Sequence, residues 1–188
     1  SGAAIGQLRS TGLIVLSIDD PNNPARSDLS INPAFWGCGA TVEGFGYTIL
    51  TGMGGAAASP KPSYPERNLV VASFGGFDPG CFLEMFMEAW SAMEPGCEAV
   101  VAAASSHSRF DELESKAAET SNLTLLQDAP LLELLPKAQL AVTNGGTTML
   151  MAASLGAPVL AVSQYDHQRD NALRLASLGG AQYLGGPG

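Results

Sequence analysis

Gln139-Leu140-Ala141-Val142-Thr143 is an apolar run, Asn144-Gly145-Gly146-Thr147-Thr148 a paired-glycine turn with two hydroxyls, and Met149-Leu150-Met151-Ala152-Ala153-Ser154-Leu155-Gly156 a helical pattern stopped by glycine. The three together read as strand, turn and helix. Glycines let backbone N–H groups approach a ligand closely, and the first turn of a helix carries N–H donors with no partner inside the helix. Such a turn is a seat for an anion, and a diphosphate is its natural occupant. The same residues also make an ordinary tight connection between a strand and a helix, and the motif alone leaves both readings open.

Outward from this turn, strands and helices alternate from residue 68 onward. Asn68–Phe74 reads as a strand, followed by the loop Gly75-Gly76-Phe77-Asp78-Pro79-Gly80 and by a helix with Phe82, Phe86, Ala89, Trp90 and Met93 at helical spacing. Glu98–Ala103 is the next strand, Phe110–Glu119 a helix with a charged face, Leu123–Leu126 a strand and Pro130–Pro136 a short helix. After the Gly-Gly turn come a strand at Pro158–Ser163, a helix at Arg169–Leu178 capped by Gly179-Gly180, and a last strand at Ala181–Leu184. Several strands are continuously apolar, which suits a parallel sheet covered on both faces. The expected fold is α/β: a doubly wound, Rossmann-like parallel sheet.

Residues 1–67 differ. Leu13–Ile18 reads as a strand running into Asp19-Asp20, with shorter strands at Leu29–Ile31 and Tyr47–Leu50 and no long helical pattern between them. Ala56–Pro65, with three prolines, reads as a linker. The expected organisation is a remnant of an N-terminal α/β domain over 1–57, a linker over 58–67 and a binding domain over 68–188.

The chain has 188 residues, 46% of them apolar and only 14% charged, so it can bury a substantial core. Its net charge of −9 argues against nucleic acid or an anionic membrane as partner, because phosphate backbones are held by clustered Lys and Arg. Any phosphate bound here must be held by backbone amides and a helix dipole. Cys38, Cys81 and Cys97 form no C-x-x-C pair, and His107 and His167 are the only histidines, so no metal site or other cofactor is expected. No apolar run reaches the roughly 18–20 residues of a membrane span, and a cytoplasmic protein with reduced thiols is expected.

The loops at the expected carboxyl edge are Gly75–Pro79, Asn144–Thr148 and Ser163–Gln168. Neither G-x-G-x-x-G nor G-x-x-x-x-G-K-[ST] occurs, which sets aside the usual dinucleotide fingerprint and P-loop. The segments Phe74–Pro79, Ala138–Thr148, Leu155-Gly156-Ala157-Pro158 and Asp166-His167-Gln168, in that order, resemble the nucleotide-binding half of GT-B glycosyltransferases. The nearest likeness is to the UDP-sugar hydrolase of pseudaminic acid synthesis and its spore-coat polysaccharide relatives, with the peptidoglycan UDP-N-acetylglucosamine transferase a more distant cousin. Val15–Asp20, Asp28–Asn32 and Tyr47–Gly52 resemble the end of the hydrolase's first domain.

This resemblance implies a UDP-sugar substrate. Asn144, Gly145, Gly146, Thr147 and Thr148 would hold the diphosphate; Gly75, Gly76 and Asp78 would line the cleft; Gln168 would face the sugar, with Asp166 a further substrate-binding residue; Leu126-Gln127-Asp128 would approach the uracil. It also exposes two departures. Where relatives place a ribose-binding glutamate, this chain has Met151, a poor hydrogen-bond acceptor. The His-bearing glycine-rich turn that supplies the family's base has no counterpart, so a missing N-terminal segment is expected to complete the cleft and no catalytic residue is assigned. Three readings of function follow: a UDP-sugar hydrolase of polysaccharide or nonulosonic acid biosynthesis, a GT-B transferase using the same donor, and a non-catalytic nucleotide-binding module. Plainer roles stand beside the sharper ones: Asp78 as a helix cap, Thr147 and Thr148 as capping hydroxyls, His167 as a solvated loop residue, Asp19-Asp20 as exposed acids, and Trp90 with Met85, Met87 and Met93 as core or packing face.

Overall fold

The computed structural model describes residues 2–18, 27–33, 39–48, 62–93 and 95–186. The chain divides into two units, Ser1–Leu50 and Thr51–Gly188.

The first unit holds α1 (Gly2–Ser10) and three short parallel strands, β1 (Leu16–Ile18), β2 (Leu29–Asn32) and β3 (Val42–Glu43), in the order β1-β2-β3. Asp28 ties the helix to the strands: one carboxylate oxygen accepts the Val15 N–H at 2.9 Å and the other pairs with Arg9 at 2.9 Å. Leu16 and Ile18 remain about half exposed, at 50% and 45%, so β1 contributes little to a core. The strand expected at Tyr47–Leu50 is corrected over its described part. Tyr47 closes a 3-10 turn, Phe45–Tyr47, and the third strand lies earlier, at Val42–Glu43. Gly44, at φ 117°, turns the chain out of the strand direction, a backbone angle that only glycine takes easily. Asp19-Asp20, Cys38, Ile49-Leu50 and the linker as far as Lys61 lie outside the described residues.

The second unit runs β4 (Leu69–Ser73), α2 (Phe82–Met93), β5 (Glu98–Ala103), α3 (Phe110–Glu119), β6 (Leu123–Gln127), α4 (Leu131–Leu134), β7 (Ala138–Asn144), α5 (Thr147–Ser154), β8 (Val159–Val162), α6 (Asp166–Ser177) and β9 (Gln182–Gly185). All pairings are parallel and the order is β6-β5-β4-β7-β8-β9. The chain starts in the middle, steps outward to β6, returns past β4 to β7 and then steps outward the other way. Right-handed crossovers running in opposite directions from β4 place α2 and α3 on one face and α5 and α6 on the other.

The strand residues follow from this double cover. On one face Val70, Ala72 and Phe74 of the first strand and its end, Ala99, Val101 and Ala103 of β5, and Leu123 and Leu125 of β6 form one buried cluster with Leu83, Met87 and Trp90 of α2 and Leu113 and Ala117 of α3. The alternation is the period of two that a pleated strand imposes, met by helical spacing from above. On the opposite face Val71 is fully buried as well. Trp90 stacks on Phe86 at 5.6 Å between centroids and Phe82 packs on Phe74 at 5.9 Å. Met85 and Met93 instead face outward, at 56% and 64% exposure, so only half of the Trp–Met cluster is core. Asp111, Glu112 and Glu114 lie exposed on α3, opposite Leu113.

Three boundaries shift. The short helix expected at Pro130–Pro136 is a single turn, Leu131–Leu134, running into a 3-10 turn, Leu135–Lys137. The last helix starts at Asp166, three residues before Arg169: the Gln168 and Arg169 N–H groups donate to the Tyr165 carbonyl at 3.0 and 3.1 Å, and Asp166 and Arg169 pair across this first turn at 3.0 Å. Within the expected linker, Ser63 and Glu66 form a capping box, and the Arg67 guanidinium donates to the Ala138 and Gly156 carbonyls at 3.1 and 2.9 Å. That end of the segment is anchored to β7 and to the turn after α5.

Candidate functional site

The strand order reverses between β4 and β7, and open α/β sheets bind ligands in the crevice at the carboxyl ends of the strands flanking such a point. The two strands end in Phe74-Gly75-Gly76 and Asn144-Gly145-Gly146, so the two Gly-Gly turns meet there. Asn144 is the last residue of β7, and its Nδ2 donates to the Phe74 carbonyl at 2.9 Å, fixing one turn against the other. Gly75 takes φ +85°, which releases the backbone from the strand.

Gly145 is needed for space. A Cβ on it would lie 1.9 Å from the Gln168 carbonyl oxygen, so the turn presses on the first turn of α6. Its N–H donates to the Val162 carbonyl at 3.0 Å, and its carbonyl accepts from Asn171 Nδ2 at 3.3 Å. Gly146 then serves as the N-cap of α5, and no side chain caps that helix end. No acidic residue lies in its first turn either. Among the described residues, neither a capping side chain nor a first-turn acid meets the orphan N–H groups of this end, and the positive end of the helix dipole sits at the switch point. Thr147 is exposed and Thr148 half-buried at this end. Met151 follows one turn later, half-buried, and its carbonyl accepts the Leu155 N–H.

The other expected site residues divide. Asp78 uses Oδ2 to accept the Leu83 N–H at 2.8 Å and so caps α2, while its Oδ1 is buried with no partner among the described residues. The plainer reading accounts for one oxygen of this carboxylate and leaves the other open. Asp166 and Gln168, read as loop residues, lie in the first turn of α6. Asp166 is exposed and paired with Arg169, beside a cavity of about 270 Å³ that Gln164, Tyr165 and Tyr183 also line. Gln168 is buried, and its Oε1 accepts the Gln164 N–H at 2.8 Å, so at least that oxygen points inward. His167 stacks on Tyr165, rings nearly parallel at 5.6 Å.

A second cavity, about 600 Å³, lies over the carboxyl ends of β5 and β6, bordered by Ser105, His107, Arg109 and Gln127. Asp128 fixes the Ser105 end of the neighbouring loop: its Oδ1 accepts the Ser105 N–H at 2.9 Å and its own N–H donates to the Ala103 carbonyl. Arg109 is held by Glu112 at 3.0 Å and by the mostly buried Glu84 at 2.9 Å. The hydrogen bond from Arg109, followed by that from Lys116, holds the Glu112 carboxyl down at about 2. Among the described residues, no group of three His, Cys, Asp or Glu side chains is placed to hold a metal ion. No helix among them is long and apolar enough to cross a membrane.

Sequence reasoning missed Gln164 and Asn171. Both reach the switch point through side-chain amides, Gln164 to Phe74 ninety residues away. Nothing in local sequence marks a contact at that distance.

Solved structures share this architecture. The spinosyn rhamnosyltransferase SpnG, complexed with thymidine diphosphate, aligns over 97% of this chain with a TM-score of 0.65 at 19% identity. MurG of Acinetobacter baumannii aligns over 98% with a TM-score of 0.59 at 16% identity. This is the GT-B glycosyltransferase fold. The calicheamicin glycosyltransferase CalG4 aligns over 97%, with a TM-score of 0.55 at 18% identity. The chain spans 57% of the SpnG chain, 56% of the MurG chain and 46% of the CalG4 chain, so about half of each GT-B structure has its counterpart here. No protein-family model matches the sequence, and no curated protein matches it.

Proposed function

We propose that this chain is the donor-binding part of a nucleotide-sugar glycosyltransferase, with a nucleoside diphosphate seated on the N-terminus of α5. The observation that carries this reading is the uncapped helix end at the topological switch point, reached through a Gly-Gly turn in which no Cβ fits at Gly145. In transfer, an acceptor hydroxyl oxygen bonds to the anomeric carbon while its proton passes to water or to the departing diphosphate, and the bond from that carbon to the diphosphate oxygen breaks. The electron pair leaves with the diphosphate. N–H groups aimed at that developing charge stabilise it without reorganising. Residues 1–57 would be the end of an acceptor-side domain, 58–67 the connection and 68–188 the donor domain.

Transferase is preferred here to the UDP-sugar hydrolase, which the sequence resemblance placed first. Support comes from SpnG and CalG4, both described as transferases, and from the thymidine diphosphate bound to SpnG. Met151 favours a second possibility for the nucleotide. A thioether at the expected ribose position suits a deoxyribose, which presents fewer hydroxyls, so thymidine diphosphate and UDP are both candidates.

The test is calorimetric titration of the wild type and of Gly146→Asp with UDP and with thymidine diphosphate. Aspartate is a favoured N-cap, so the variant is expected to fold while its carboxylate occupies and repels the anion seat. Binding by the wild type and none by Gly146→Asp is the expected result. If neither nucleotide binds the wild type, the donor reading falls; if the variant binds as well as the wild type, the diphosphate sits elsewhere.

A further inference from the structure

We infer that Gln164 is a positioning residue that locks the Gly75–Gly80 loop in register with the anion seat. Its role in ligand binding rests on the donor-site reading above, while the lock itself does not. Gln164 lies just after β8, on neither of the turns that form the seat. Its Nε2 donates to the Phe74 carbonyl at 3.3 Å, and its Oε1 accepts the Gly80 N–H at 3.3 Å. One side chain therefore holds both ends of the loop. A carboxamide suits this role, because it offers a donor and an acceptor on one carbon at the end of a long side chain; a carboxylate lacks the donor and an alkyl chain lacks both.

Other amides hold Gln164 in turn. Its backbone N–H is fixed by Gln168 Oε1, from the first turn of α6. The Phe74 carbonyl that it meets is shared with Asn144 Nδ2, the last side chain of β7. Asn171 donates to the Gly145 carbonyl at the far side of the same turn. Four carboxamides thus connect the loops after β4, β7 and β8. Gln164 is the member that reaches the outer end of the Gly75–Gly80 loop. There the Gly80 backbone also packs close by: a Cβ on Gly80 would lie 3.0 Å from the Phe82 ring and 3.7 Å from Gln164 Cγ.

The experiment compares wild type, Gln164→Ala and Gln164→Glu by amide hydrogen exchange at Gly80 and by calorimetric titration with UDP and with thymidine diphosphate. Trp90→Phe, on the far end of α2, serves as a control for general destabilisation. Gly80 exchange is expected to quicken about tenfold in Gln164→Ala, which removes its acceptor, and to stay slow in Gln164→Glu, which keeps it. Nucleotide affinity is expected to fall about tenfold in Gln164→Ala and to stay unchanged in Trp90→Phe. A merely structural role would not separate those two variants. Unchanged Gly80 exchange in Gln164→Ala overturns the lock, and unchanged affinity overturns its part in positioning. If the wild type binds neither nucleotide, the donor reading fails, and the exchange data alone then decide whether Gln164 holds the loop.

Discussion

Replacing Gly145 by alanine tests the packing of the switch point directly. The added Cβ would stand 1.9 Å from the Gln168 carbonyl oxygen and 2.7 Å from its carbon, both backbone atoms that cannot rotate away. Reaching an ordinary contact near 3.4 Å requires the turn and the start of α6 to separate by roughly 1.5 Å. A shift of that size strains or breaks the Gly145–Val162 bond at 3.0 Å and the Asn171–Gly145 bond at 3.3 Å. Forced overpacking costs about 1–3 kcal/mol, and each lost buried hydrogen bond about 0.5–1.5 kcal/mol. Together they give about 3 kcal/mol, which for a chain of this size lowers the thermal midpoint by about 6–12 °C. Gly96→Ala is the control, since a Cβ there meets nothing within 4 Å. Thermal unfolding followed by circular dichroism measures both. If Gly145→Ala melts within about 1–2 °C of the Gly96→Ala protein, the close approach of turn and helix is not what requires glycine at this position.

Three further outcomes are expected. Trp90 is 4% exposed and its indole N–H is buried without a partner among the described residues, so Trp90→Phe should cost about 1 kcal/mol in denaturant unfolding while Trp90→Ala costs about 3–5 kcal/mol; equal losses would mean that the indole nitrogen, not ring volume, holds the site. Arg109→Ala leaves the mostly buried Glu84 without its counterion and should lower the denaturant midpoint, with Glu84→Gln in the same background restoring most of the loss. In the same variant the Glu112 carboxyl, held at about 2 by Arg109 and Lys116, should titrate nearer its ordinary value by NMR. Its folded-state pKa is depressed, so its contribution is present above the ordinary carboxylate range and is lost as pH falls toward 2. An unmoved Glu112 midpoint would show that Arg109 does not carry the shift.

The alternation of apolar strands and helices from residue 68 was readable without coordinates, because continuous Val-Ala-Leu runs are what a sheet covered on both faces requires. The Gly-Gly turns were readable as candidate seats because glycine's freedom is a property of the residue. Short boundaries were less legible. Tyr47–Leu50 has strand-like residues, but Gly44 at φ 117° has already turned the chain, and a 3-10 turn takes Tyr47. Asp166-His167-Gln168 reads as a loop because its residues are polar; backbone bonds from Gln168 and Arg169 to the Tyr165 carbonyl make it the first turn of a helix.

The sequence by itself determined the alternating strands and helices from residue 68, the parallel sheet and the two Gly-Gly turns, since these depend on local periodicity and on single residues. Tertiary structure decided which turns meet. The β6-β5-β4-β7-β8-β9 order, which sets Gly75 beside Asn144, depends on crossovers spanning the whole domain. It also decided that Gln164 spans Phe74 and Gly80 and that Gln168 turns an oxygen inward. A hydrogen bond between residues ninety apart leaves no pattern in either neighbourhood. Only the folded sheet brings those groups within 3.5 Å, and so only the fold reveals what holds the site in place.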